Sequence, residues 1–123
     1  MAVLLDSGFL FAALNALEAE HLAILEVLRT VREPIVLPVP AITEVAYLLA
    51  RDVGPLAAAD FISTLAETEL TLEVPQPEDY LRSAEILRQY ADAKLDFVDA
   101  LITALADRLN INRLLTLDRR DFS

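Results

Sequence analysis

Apolar positions along this chain follow two alternating rhythms. Short, nearly continuous apolar runs at residues 2–5, 35–37 and 113–117 read as buried strands, and residues 70–74 alternate as a strand with one open face. Between the strands the spacing lengthens to the helical period. Ser7 and Gly8 make a turn after the first strand, and a helix follows to about Asn15. A second helix is expected over residues 18–31, with Leu17, His21, Ile24, Leu25 and Leu28 on one face. Pro40 suits the first turn of a third helix, which runs to about Asp52. Gly54 ends that helix, and Pro55 opens a fourth to about Ala66. Pro77 opens a fifth, to about Tyr90, and Asp96 is placed to cap a sixth over residues 97–109.

Each strand is separated from the next by at least one helix, and such crossovers produce parallel strands. The expected fold is therefore α/β: a three-layer α/β/α sandwich around a parallel sheet of about four strands. With 123 residues and no linker, repeat or low-complexity stretch, residues 1–123 are expected to form one domain. The functional crevice of such sheets lies beyond the carboxyl ends of the strands. That rule draws attention to Asp6, which ends the first strand, and Asp118, which follows the last.

Composition narrows the chemistry. A hydrophobic fraction of 55% supports a sizeable core, yet no apolar run approaches the ~20 residues of a membrane-spanning helix. The N-terminus lacks a basic stretch before its apolar residues, so no signal peptide and a cytoplasmic location are expected. The chain has no cysteine and one histidine, which excludes disulfides, thiolate metal sites and histidine-rich ones. Any bound metal must take oxygen ligands, which favours Mg²⁺ or Mn²⁺. A net charge of −10 argues against simple nucleic-acid binding through a basic surface. It leaves open an enzyme that holds a phosphodiester through cations, and it favours a basic protein partner.

Four acids carry the functional reading. Asp99 lies in the first turn of a helix that is apolar nearly all round, where a carboxylate is costly unless paired, capping or bound to a cation. Asp96 already supplies a cap there. Asp6 and Asp118 each have an ordinary structural explanation as a helix cap or loop acid, and Glu44 suits the early turns of the third helix. Their joint placement on one sheet edge is harder to explain so. Two unit charges ~4 Å apart repel by about 4 kcal/mol at an effective dielectric of about 20, against a folding stability of roughly 5–15 kcal/mol. A shared divalent cation converts that repulsion into ligation and acidifies a bound water into a nucleophile.

These residues resemble the motifs of the PIN domain family. Val3-Leu4-Leu5-Asp6-Ser7-Gly8 resembles its first motif and Ile42-Thr43-Glu44-Val45 its second. The third is matched by residues 95–102, from Leu95-Asp96-Phe97-Val98-Asp99 onward, and the fourth by Leu115-Thr116-Leu117-Asp118 running into Asp121-Phe122. The resemblance implies Mg²⁺- or Mn²⁺-dependent hydrolysis of RNA, with Asp6, Glu44, Asp99 and Asp118 as catalytic metal ligands. Asp96 is then a possible assistant, Ser7 and Thr116 hydrogen-bonding supports, and Arg119 and Arg120 possible phosphate contacts, with Lys94 near the third motif. Within the family the chain most resembles the VapC-like toxins, which implies a homodimer held inactive by a small antitoxin. Family members commonly continue into another strand after the Asp-Phe pair, so the sheet is expected to lack that edge strand or to have it covered by a partner. A non-catalytic PIN-like interaction module and a housekeeping RNA-processing nuclease are the alternatives. Receiver and phosphatase chemistry fits less well, because Gly8 stands where a phosphatase needs a second Asp and no Lys follows Lys94. His21 is assigned a structural role on the second helix.

Overall fold

The structure, a computed structural model, describes residues 1–117. Along them run β1 (Val3–Leu5), α1 (Ser7–Leu14), α2 (His21–Thr30), β2 (Ile35–Pro38), α3 (Val39–Asp52) and α4 (Pro55–Thr64), followed by β3 (Thr71–Glu73), α5 (Pro77–Gln89), α6 (Phe97–Leu109) and β4 (Arg113–Leu115). Four strands form one sheet in the order β3-β2-β1-β4, and every pairing is parallel. In the ladder Val3 stands opposite Ile35 and Arg113, and Leu4 opposite Val36 and Leu114.

Strand side chains alternate between two cores, as period-two geometry requires. Val3, Leu5, Leu37 and Leu115 face one layer, where they meet Phe9 of α1, Ile24 of α2, Val45 of α3 and Phe61 of α4. Leu4 and Val36 face the other layer and pack on Leu101, Ile102 and Leu105 of α6. Helix α5 packs in turn on α6. Both faces of the sheet are thus covered at its centre, which is why β1 and β2 read as unbroken apolar runs.

Helix boundaries have local causes. Pro55 and Pro77 occupy first turns, where no intrahelical N–H is needed. Gly54 passes between α3 and α4 at φ 141°, a conformation open essentially to glycine alone, and its N–H reaches the Leu49 carbonyl at 2.8 Å. Asn110 closes α6 in the left-handed conformation that asparagine tolerates.

Several boundaries differ from the periodicity. Leu17 is not on the α2 face: it lies in the preceding turn and is 87% exposed. The Asn15 side chain accepts from the Leu17 N–H at 3.1 Å, an Asx-type turn that delays the helix to His21. Leu25 is exposed too, while Ile24 is buried. The fourth helix ends at Thr64 and tightens into a 3-10 turn, Leu65–Glu67, after the Ser63 and Thr64 hydroxyls bond back to the Asp60 and Phe61 carbonyls. The third strand omits Leu70, whose N–H is taken by Thr68 Oγ1 at 3.1 Å. His21 is half-buried and its Nδ1 lies 2.9 Å from the Ala12 carbonyl, so that nitrogen donates and ties α2 to α1.

One buried ionic network has no signature in the apolar pattern. Asp79, only 1% exposed, accepts from Arg108 Nε at 3.0 Å, and Arg108 Nη2 reaches Glu73 at 2.9 Å. Asp79 also accepts from the Gln76 N–H at 2.7 Å, capping α5. Removing one partner of such a pair leaves an uncompensated charge. Arg108→Leu should therefore lower stability by roughly 3 kcal/mol, and adding Asp79→Asn should recover part of that loss. Urea melts of the two singles and the double variant check this. No recovery in the double variant would mean that the pair is not the source of the loss. Leu101→Ala, at a fully buried position, should lower stability by about 2–5 kcal/mol in the same melts.

Candidate functional site

The sheet order places a topological switch point between β1 and β4. From β1 the chain moves outward through β2 to β3, then returns across the sheet to β4 on the other side of β1. In open parallel sheets the crevice at such a point is the usual ligand site. Asp6 emerges there directly after β1, and its N–H still bonds the Leu115 carbonyl of β4 at 3.1 Å. Thr116 emerges beside it after β4.

Asp6 is held from two sides. One carboxylate oxygen accepts from the Gly8 N–H at 2.6 Å, which makes Asp6 the cap of α1. The other accepts from the Thr116 hydroxyl, 110 residues away in sequence. The capping explanation for Asp6 is therefore real, but it uses only one of the two oxygens. Ser7, buried at the start of α1, donates its hydroxyl to Glu44 Oε1 of α3. Ser7 thus links the element behind Asp6 to the second acid.

Asp99 arrives from the opposite layer, in the first turn of α6. It shares a capping box with Asp96: Asp96 Oδ1 accepts from the Asp99 N–H at 2.9 Å, and Asp99 Oδ2 accepts from the Asp96 N–H at 3.3 Å. The capping role weighed against function for Asp99 is thus realised. It does not account for the electrostatics. Burial is the largest influence on Asp99 and pushes its carboxyl up to about 6. The Asp96 N–H bond opposes that rise, while the negative charges of Asp96 and Asp6 add to it. Asp6 therefore lies close enough for its charge to add to the cost of ionising Asp99, although the two belong to opposite layers of the molecule.

Asp6, Ser7, Glu44, Asp96, Asp99 and Thr116 are brought to this edge in two linked sets. Asp6 joins Thr116 and Asp99, and Ser7 joins Glu44. Among the described residues no three acids or histidines sit tightly enough to hold a metal ion. Asp118, Arg119 and Arg120 lie outside the described residues. The donor set is all carboxylate and hydroxyl oxygen, the chemistry that Mg²⁺ and Mn²⁺ prefer. The field between Asp6 and Asp99 is of the kind a divalent cation relieves. On both counts the residues present suit such an ion. A groove of about 490 Å³ adjoins this edge between α1, α2 and β4, with Phe9, Ile24, Val27, Leu115, Thr116 and Leu117 in its lining.

The sequence reading passed over Asp79 and Arg108. The capping pattern around Pro77 was visible, but nothing local pointed to a partner 29 residues on. It also gave no attention to the exposed ring of Phe97 beside Asp96.

Comparison with known proteins agrees with this architecture. Ribonuclease VapC26 of Mycobacterium tuberculosis (strain ATCC 25618 / H37Rv) is 31% identical over 121 residues, covering 98% of this chain and 90% of that protein. The crystal structure of M. tuberculosis VapC20, a sarcin-ricin loop cleaving toxin, matches with a TM-score of 0.90 at 22% identity, over 98% of this chain and 92% of that one. VapBC2 from Rickettsia felis, crystallised with a DNA fragment from their promoter, matches with a TM-score of 0.70 at 18% identity, over 99% and 91% of the two chains. At those identities the two structures speak to the fold alone. The PIN domain family model matches residues 3–123. With that match and a relative 31% identical along almost its whole length, this chain belongs to the PIN domain family.

Proposed function

We propose that this protein is a divalent-metal-dependent endoribonuclease, the toxin of a type II toxin–antitoxin pair, acting in the cytoplasm as a homodimer that a small antitoxin silences. The observation that carries the reading is the convergence of Asp6 and Asp99 from opposite layers onto the switch point, where the Asp6 charge adds to the burial that raises the Asp99 carboxyl. The similarity to a ribonuclease supports the substrate class.

Asp6, Glu44, Asp99 and Asp118 would hold Mg²⁺ or Mn²⁺, which supplies charge neutralisation at the phosphate and an acidified water. Thr116 fixes the Asp6 carboxylate, leaving its orientation no freedom to relax away from the site. Ser7 does the same for Glu44. Asp96 positions Asp99 through the reciprocal cap. Arg119 and Arg120, adjoining Asp118 in the sequence, are the proposed contacts to the substrate phosphates. Val27 of α2 lines the groove and is partly exposed there, an apolar wall that an antitoxin would cover.

Four measurements test this. Cleavage of single-stranded RNA should disappear in EDTA and return with Mg²⁺ or Mn²⁺. Asp99→Asn should lower kcat by roughly 10²–10³-fold with no loss of melting temperature, because an amide oxygen still accepts the Asp96 N–H. Cleavage that survives EDTA would exclude the metal-dependent reading. Thr116→Val should weaken metal affinity or activity by roughly 10–100-fold, read as the Mg²⁺ concentration needed for half-maximal rate. An unchanged requirement would remove Thr116 from the site.

The fourth measurement concerns pH. Asp99 has a folded-state pKa raised to about 6, above its unfolded value of about 3.9. Between those values the folded state binds the extra proton, so stability must fall as pH rises through that window. Metal-free protein should therefore melt at a lower temperature at pH 7 than at pH 5, and Asp99→Asn should remove most of the difference. An equal slope in the variant would show that another group is responsible.

A further inference from the structure

Neither core uses the Phe97 ring. Phe97 is the first residue of α6 and is 44% exposed. Its ring lies nearly parallel to that of Tyr80 on α5, with an interplanar angle of 9° and centroids 6.3 Å apart. Tyr80 is itself 50% exposed. Half-open rings forgo much of the free energy that burial of an aromatic provides, yet two helices cooperate to stack these two, which leaves the outer faces open.

A second observation lies just upstream. Lys94 is exposed and makes no ion pair among the described residues. Its backbone is left-handed, at φ 58° and ψ 32°. Glycine adopts that conformation without steric penalty, and other residues do so at a cost. A lysine here keeps a positive charge three positions before Phe97 and two before Asp96, on a chain of net charge −10.

We propose that Tyr80 and Phe97 form a stacking platform for an unpaired nucleobase of the substrate, with the Lys94 ammonium attracting the adjoining phosphate backbone. The inference deepens the ribonuclease reading above and rests on it for the substrate class. Aromatic faces combined with a cation are the usual means of gripping single-stranded nucleic acid, because every base offers a π-face. Phe97 and Asp99 are two positions apart on one helix, so their side chains leave it on different sides. The stacked base therefore belongs to a nucleotide flanking the cleaved one. A base inside a duplex has both faces covered, so the platform selects unpaired segments.

The test uses the full chain and a short single-stranded RNA carrying 2-aminopurine, whose fluorescence falls when the base stacks. The wild type should quench it. Phe97→Leu keeps an apolar side chain but removes the π-face. It should lose most of the quench and raise KM about tenfold, with kcat changed by less than about twofold and the melting temperature retained. Phe97→Tyr should restore both quench and KM. Lys94→Gly should raise KM and flatten its salt dependence, while raising the melting temperature as the left-handed strain is relieved. Unchanged quenching or KM in Phe97→Leu, or a failure of Phe97→Tyr to rescue, overturns the platform. So does a shift of Phe97→Leu to a smaller species in size-exclusion chromatography, which would assign the rings to a subunit contact. Wild-type protein that quenches the probe but cleaves no RNA would overturn the ribonuclease reading while leaving the platform standing.

Discussion

Holding the partly buried Asp99 carboxyl within reach of the Asp6 charge is the constraint around which this end of the molecule is organised. The two carboxylates come from opposite layers of the sandwich and meet where the strand order reverses. Nothing in the packing of either core requires them there. The fold tolerates their proximity by surrounding each with neutral donors. Gly8 N–H and the Thr116 hydroxyl hold Asp6, the Asp96 N–H holds Asp99, and the Ser7 hydroxyl holds Glu44. These bonds lower the cost of the charges without cancelling them, as burial still drives the Asp99 carboxyl upward. The proposed divalent cation would relieve that residual tension.

The same local devices serve fold and site together. Asp6 caps α1 while presenting its second oxygen to Thr116. Asp99 completes a capping box while facing Asp6. Dual use is why a structural reading of each acid taken singly is attractive. A cap needs one oxygen, and a carboxylate has two. Away from this edge, ionic groups have a different office. Asp79, Arg108 and Glu73 satisfy one another and tie β3 and α5 to α6. They pin the layer that carries Asp99 without taking part in its electrostatics.

Acidity and nucleic-acid chemistry are reconciled by separating tasks. A net charge of −10 would repel RNA if binding relied on a broad basic surface. In the proposed site the substrate is instead held at a few points: cation-bridged phosphate at the acids, and a base on the Tyr80–Phe97 face with one ammonium nearby. Among the described residues the cations that form ion pairs are committed elsewhere, Arg108 to Asp79 and Glu73, Arg113 to Glu33, Arg51 to Asp52, Arg82 to Asp107 and Arg29 to Glu26.

Much of this protein was legible in its sequence. Helical and strand periods, proline at first turns, Gly54 between helices and Asp96 before Phe97 located ten elements, with errors confined to their ends. Alternation of strands and helices was enough for a parallel, doubly covered sheet, and the spacing of acids at element ends picked out Asp6, Glu44 and Asp99. These features are local, set by steric and hydrogen-bonding preferences that act within a few residues. Tertiary structure decided the rest: the order β3-β2-β1-β4, the Thr116–Asp6 and Ser7–Glu44 hydrogen bonds, the Asp79–Arg108 pair and the Tyr80–Phe97 stack. Each joins residues far apart in sequence, and no periodicity along one chain encodes which distant partner a crossover will deliver. Even the small misreadings have that character at short range, since Asn15, Thr64 and Thr68 each diverted a backbone group that the apolar pattern had assigned to a helix or a strand.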